Sequence, residues 1–165
     1  MNTTGPKILY EKIPSGLKGT KATIDKMIDL AVAGSRDWEL IKKARKIITD
    51  CNPRNEKEIA DTIFYWLKSC VVFVRDPVTA ELVQYPLVTI REGKGDCDDQ
   101  STLLAALNMA VGNKIRFITI GENKDRFSHV YTQVLCPGIK KWVGYDTVVK
   151  SSIPGWEASR YKVKT

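Results

Sequence analysis

Histidine is nearly missing from this sequence, which holds one, His129; its four cysteines, Cys51, Cys70, Cys97 and Cys136, stand far apart with no CxxC pair. A zinc site needs close thiolate pairs or a mixed cysteine–histidine cluster, so this scarcity argues against one. It argues equally against a disulfide framework, and the expectation is reduced, mostly buried thiols in a cytoplasmic setting, with Cys51 and Cys70 on apolar helix faces. Long apolar runs are missing too. The longest candidate, Val71-Val72-Phe73-Val74, is strand-sized, against the ~20 residues of a membrane-spanning helix. The opening residues, MNTTGPKILYEKIP, lack the apolar stretch of a secretory signal. Basic residues outnumber acidic ones by 26 to 19, a net charge of +7. They are dispersed, however: Lys42, Lys43, Arg45 and Lys46 share one helix, Lys140-Lys141 a turn, and Arg160, Lys162 and Lys164 the end of the chain. No basic stripe interleaved with aromatics accompanies them, which argues against a nucleic-acid partner.

What remains is an ordinary globular composition, 43% apolar and 27% charged over 165 residues, enough for one domain with a real core. Residues 1–19, with Gly5, Pro6, Pro14, Gly16 and Gly19, read as an extended arm, and 20–165 as a single domain. Within that domain the apolar period is first helical. Ile24, Met27, Ile28 and Ala31 predict a helix from Thr20 to Gly34-Ser35. Asp37 caps a second carrying Leu40, Ile41, Ala44, Ile47 and Ile48, stopped at Asn52-Pro53. A third starts near Asn55, with Ile59, Ile63, Trp66, Leu67 and Cys70 on one face, and runs into the β-branched segment 71–74. Residues 76–95 read as a long loop with short extended pieces, and such loops are often functional. A fourth helix spans Cys97 to Val111, ended by Gly112-Asn113. The period then changes to that of strands over 115–120, 129–135 and 141–149. The expectation is an α+β fold: a helical part over 20–111, an antiparallel sheet over 112–150, and a C-terminal tail over 151–165.

The chemistry concentrates where the loop meets the fourth helix, at Gly93-Lys94-Gly95-Asp96-Cys97-Asp98-Asp99-Gln100. A cysteine in a first helical turn meets unpaired backbone N–H groups, which favour a thiolate and can donate to an oxyanion. The surrounding aspartates push the other way, because negative charge raises a thiol pKa. A thiolate here therefore needs a cation, and His129 is the obvious source. The aspartates themselves read as helix caps. Successive helical side chains fan apart by about 100°, so Asp96, Asp98 and Asp99 are not expected to converge on a metal. Asp146 follows His129 by 17 residues across the turn signal Pro137-Gly138. A two-residue turn at Gly138-Ile139 pairs Pro137 with Lys140 and sets Tyr131 opposite Asp146. His129 then shares a face with Asp146 as a diagonal neighbour, close enough for the carboxylate to orient the imidazole.

The strings Gly95-Asp96-Cys97-Asp98-Asp99, Ser128-His129-Val130-Tyr131 and Trp142-Val143-Gly144-Tyr145-Asp146 resemble the transglutaminase-like superfamily of cysteine peptidases and related amide hydrolases. Phe73-Val74-Arg75-Asp76-Pro77 resembles the segment preceding the nucleophile loop in phage-encoded and bacterial members, and the resemblance covers about residues 55 to 156. It implies a papain-like core, with Cys97 as nucleophile, His129 as proton shuttle and Asp146 as orienting group, and an acyl-enzyme formed without metal or organic cofactor. It also brings forward Gln84, 13 residues before Cys97, as an oxyanion donor beside the Cys97 N–H. The implied function is a cysteine-nucleophile hydrolase of amide bonds, a peptidase acting on peptides or cell-wall peptide cross-links. Acyl transfer to an amine shares its first half-reaction. The rival reading is a phage virion or assembly component that keeps the fold and binds other virion proteins. The implied location is the cytoplasm of a bacterial host or the virion.

Overall fold

In the computed structural model, which describes residues 17–75, 82–123, 126–158 and 162–164, helices come first and an antiparallel sheet follows. The α+β expectation holds. Helix α1 spans Leu17–Ser35, α2 Trp38–Cys51 and α3 Glu56–Cys70. Strand β1 (Val72–Phe73) lies parallel to β2 (Lys94–Gly95), with α4 (Pro86–Glu92) between them in sequence. Then come α5 (Cys97–Ala110), β3 (Ile115–Asn123), β4 (Arg126–Cys136), a 3-10 turn at Pro137–Ile139, β5 (Lys141–Tyr145) and β6 (Lys162–Lys164). Among the described residues no helix is long and apolar enough to cross a membrane.

Local chemistry sets the helix starts. Asp37 Oδ1 accepts the Glu39 N–H at 2.9 Å to begin α2. Asn55 Oδ1 accepts the Glu58 N–H at 3.0 Å to begin α3, while the Glu58 carboxylate turns back to the Arg54 N–H at 2.7 Å. Helix α5 is the centre of the molecule: every residue from Asp99 to Asn108 is buried. Leu103, Leu104 and Leu107 pack with Met27, Leu40, Phe64, Leu67, Phe117 and Val134 in one continuous core. Each fully buried leucine contributes about 1.5–3 kcal/mol. Because α5 is covered all round, its polar residues need internal partners. The Ser101 hydroxyl donates to the Val130 carbonyl at 3.2 Å, and the Thr132 hydroxyl donates to the Ser101 carbonyl at 3.0 Å. This pair pins the first turns of α5 to the middle of β4.

The larger sheet has the order β5-β4-β3-β6, antiparallel throughout. The β4–β5 hairpin corrects the expected turn but keeps its register. Lys140 adopts the left-handed conformation (φ 52°, ψ 37°), and the ladder starts at Cys136 opposite Lys141, not at Pro137 opposite Lys140. Thr132 lies opposite Tyr145, which is the same alignment, since both turns hold an even number of residues. The strand is shorter than expected: β5 ends at Tyr145, so Asp146 stands one residue beyond it.

Four further expectations need correction. Helix α1 begins at Leu17, inside the segment read as an extended arm; the remainder of that arm, 1–16, lies outside the described residues. The loop read over 76–95 contains α4, started by Pro86 in its first turn and closed by Gly93 at φ 64°. The C-terminal tail supplies β6, which pairs with β3. Cys51 and Cys70, placed on buried helix faces by their spacing, are exposed. Each is the last residue of its helix, where the apolar face has run past the core.

Candidate active site

Asp96 has an extended backbone and caps α5: its Oδ1 accepts the N–H of Asp98 at 2.9 Å and of Asp99 at 3.2 Å. Asp99 reciprocates by accepting the Asp96 N–H at 3.2 Å, which closes a capping box. Cys97 is thereby fixed as the first helical residue, and its own N–H belongs to the turn that no helical carbonyl reaches. Its S–H donates to Asp98 Oδ1 at 3.4 Å. Burial, and next the charges of Asp98 and Asp96, push this thiol well above the usual cysteine range. The backbone of Val130, close to the sulfur, pulls it down but does not prevail. The sulfur therefore lies against β4, beside the residue that follows His129. At neutral pH the isolated group is a thiol, so reactivity requires a base.

His129 and Asp146 meet as the hairpin register predicts. His129 Nε2 is 2.6 Å from Asp146 Oδ2; the carboxylate side chain is 1% exposed and the imidazole 21%. The other carboxylate oxygen, Oδ1, accepts the N–H groups of Val148 and Val149 at 3.1 and 3.2 Å. With Nε2 occupied, Nδ1 is the ring nitrogen left for proton exchange.

Gln84 sits in the segment before α4 and is held by Asp99. Its N–H donates to Asp99 Oδ1 at 2.7 Å and its side-chain Nε2 to Asp99 Oδ2 at 2.8 Å. An ionised carboxylate only accepts, which fixes the amide with its nitrogen toward Asp99. One of the two Nε2 protons is used there. Gly95 is required beside this contact, because a Cβ on it would lie 2.6 Å from Asp99 Cβ. Sequence reasoning recognised Asp99 as a cap and missed this second duty. The capping box was visible in the string Asp96-Cys97-Asp98-Asp99, whereas the reach to Gln84 is tertiary.

The carboxylates do not fan apart as fully as the helical angle implies. Asp96, Cys97 and Asp98 each bring one ligand-type atom within 4.8 Å of the others. The 100° rule applies from Cys97 onward; Asp96 precedes the helix and folds back over it. Asp96 Oδ1 is already engaged by two backbone N–H groups, and Asp99 points the other way, to Gln84.

Residues 42–147 match the family model of the transglutaminase-like superfamily core. No curated protein matches the sequence. Among solved structures, a candidate protease from Parabacteroides distasonis ATCC 8503 aligns at 15% identity with a TM-score of 0.60, over 74% of this chain and 26% of its own. A candidate cysteine protease from Cytophaga hutchinsonii aligns at 22% identity with a TM-score of 0.52, over 67% of this chain and 37% of its own. The likeness is one of fold, and the chain spans between a quarter and two-fifths of these proteins' lengths.

Proposed function

The chain belongs to the transglutaminase-like superfamily, and from that premise we propose that it is a cysteine-nucleophile hydrolase of amide bonds, a peptidase whose substrates are peptides or cell-wall peptide cross-links. The observation that carries this reading is the His129–Asp146 pair, 2.6 Å apart, with His129 on β4, the strand that approaches the Cys97 sulfur at Val130.

The steps follow from the hydrogen bonds. Because the thiol is held protonated, His129 Nδ1 takes its proton as Cys97 Sγ attacks the amide carbonyl carbon. The negative charge that develops on the carbonyl oxygen falls to the Cys97 N–H and the second Nε2 proton of Gln84. The C–N bond breaks as His129 returns its proton to the leaving nitrogen, and a thioester remains on Cys97. Water, deprotonated by His129, attacks the thioester; the acid product leaves and the thiol is restored. Asp146 stays ionised throughout, holding the ring and supporting its positive charge. An amine in place of water would give acyl transfer by the same route. The test is mass spectrometry of a peptide or muropeptide mixture incubated with wild type and with Cys97→Ala. New amide-cleavage products confined to wild type support the proposal; identical product lists would end it.

A further inference from the structure

Helix α3 grips the chain on both sides of Asp146. Before it, the Tyr145 hydroxyl donates to Asp61 Oδ1 at 2.8 Å. After it, Lys68 Nζ donates to the carbonyls of Val149 (2.9 Å), Lys150 (3.1 Å) and Ser152 (3.0 Å), and to Ser152 Oγ (3.1 Å). Asp61 and Lys68 are two helical turns apart and so share one face of α3. Between them lies Phe64, whose ring centroid is 5.2 Å from the Lys68 ammonium and 5.7 Å from the Tyr145 ring.

A surface lysine ordinarily leaves its ammonium in water. This one has four protein acceptors for three protons, all within a four-residue stretch more than 80 positions away in sequence. The stretch is the second half of the turn that holds Asp146. Its first half points the N–H groups of Val148 and Val149 at Asp146 Oδ1, and the Ser152 hydroxyl faces the carbonyls of Asp146 and Val149. The turn thus sends its N–H groups inward to the carboxylate and its carbonyls outward to a cation. Burial lowers the Lys68 pKa, and the Asp146 charge acts against that, as an ammonium near a carboxylate requires.

We propose that Lys68 is a positioning residue for the His129–Asp146 pair: its ammonium fixes the turn over 147–152 that aims the Asp146 carboxylate at His129. The proposal rests on the cysteine-hydrolase reading and extends it to a residue 78 positions before Asp146 with no contact to the reacting atoms. Since His129 is the sole histidine, its ring gives a single set of NMR signals. The experiment compares Lys68→Met, Asp146→Asn and their combination in a Cys51→Ser/Cys70→Ser background, which removes the exposed thiols. Two quantities are read: the Nε2–H proton signal of His129, and the rate of Cys97 alkylation by iodoacetamide at neutral pH. Lys68→Met is expected to broaden or abolish the Nε2–H signal and to slow alkylation about tenfold, and to add nothing further in the Asp146→Asn background, because both changes act through one group. An unchanged signal with an unchanged rate overturns the proposal, as does a Lys68→Met effect that adds in full to Asp146→Asn. Where Lys68→Met does not fold, Ser152→Ala cuts the same chain of contacts and is read by the same two criteria. His129→Ala separates the two claims. Unchanged alkylation in that variant overturns the hydrolase reading, while the Nε2–H signal of the variants that keep His129 still reports whether Lys68 positions the pair.

Discussion

Two carboxylates of the candidate site are buried, and their surroundings differ in kind. Asp99 is wholly buried and accepts three N–H groups, from the Gln84 backbone, the Gln84 amide and the Asp96 backbone. All three donors are neutral, and the compensating charge is that of the α5 N-terminus. Asp146, equally buried, accepts two backbone N–H groups and an imidazole, with an ammonium behind its turn. These three partners never change charge, so through them Asp99 serves as a brace that sets the position of Gln84 and of the loop before Cys97. In the proposed reaction the principal partner of Asp146 gains and loses a proton in every turnover, so there Asp146 would work during the reaction as well as in the fold. One residue type fills both roles, and the donors it meets decide which.

Turnover should separate the two most sharply. On any confirmed substrate, His129→Ala is expected to lower kcat by about 10⁴, the upper range for general acid–base catalysis. Asp146→Asn should cost less, about 10²-fold, because His129 remains as the base and loses only orientation and charge support. Asp99→Asn should cost less again, through a displaced Gln84. Steady-state rates for the three variants check the order. Wild-type activity in His129→Ala would remove the basis of the site, and a loss in Asp99→Asn matching that in Asp146→Asn would erase the distinction.

Stability should reverse that order. Asp99→Ala leaves three N–H groups without their acceptor and breaks the capping box. At about 1–3 kcal/mol for each buried donor stranded, partly relieved by water, the cost is about 3–5 kcal/mol. For a domain of this size that is a fall in Tm of about 10 °C. Asp146→Ala strands the N–H groups of Val148 and Val149, which are half-buried and within reach of water, and should lower Tm by about half as much. Calorimetry decides; a smaller shift for Asp99→Ala than for Asp146→Ala contradicts the brace.

Which parts of this comparison were legible in the sequence follows from the kind of contact involved. The His129–Asp146 pairing was readable because a hairpin register depends only on the parity of its turn, and that survived an error in the turn itself. The position of Cys97 was readable because Asp96 and Asp99 are local caps. Helix α4 was missed although Pro86 and Gly93 mark its ends, since seven residues give no apolar period to detect. The link from Asp99 to Gln84 crosses 15 positions, and that from Lys68 to the Asp146 turn ends on backbone carbonyls, which carry no side-chain signature. Cys51 and Cys70 were misplaced because a helical period cannot say where the core stops.

The Cys97 thiol offers a finer probe of local charge. Asp98 accepts its S–H and, after burial, is the largest cause of its raised pKa. Asp98→Asn removes that charge, so the thiol pKa should fall and Cys97 alkylation at pH 7 should rise several-fold. The sign is the test, read by peptide mapping: a slower reaction would mean that Asp98 assists the thiolate.

The smallest effect concerns a second brace of the Asp99 kind. Gln84 is tied to Asp99 at the start of α5, and the next residue, Tyr85, is tied to Asp37 at the start of α2 by a hydroxyl donating to Asp37 Oδ2 at 2.9 Å. Residues 84 and 85 are thus stapled between two helix N-termini. Burial, and then the bond to and charge of Asp37, push the Tyr85 pKa up to about 12, against about 10 in an unfolded chain. A group with a raised folded pKa stabilises fully below its unfolded value, and that contribution is lost as pH rises from about 10 toward 12. Tyr85→Phe should therefore cost about 1 kcal/mol at pH 7, the worth of one hydrogen bond. It should also flatten the fall of Tm above pH 10, because the mutant has no phenol to ionise. The difference between the two melting curves isolates this step from the other buried tyrosines, Tyr131 and Tyr145, whose pKa values are also raised. Parallel curves from pH 7 to pH 12 would show that the Tyr85–Asp37 bond does not brace the segment that carries Gln84.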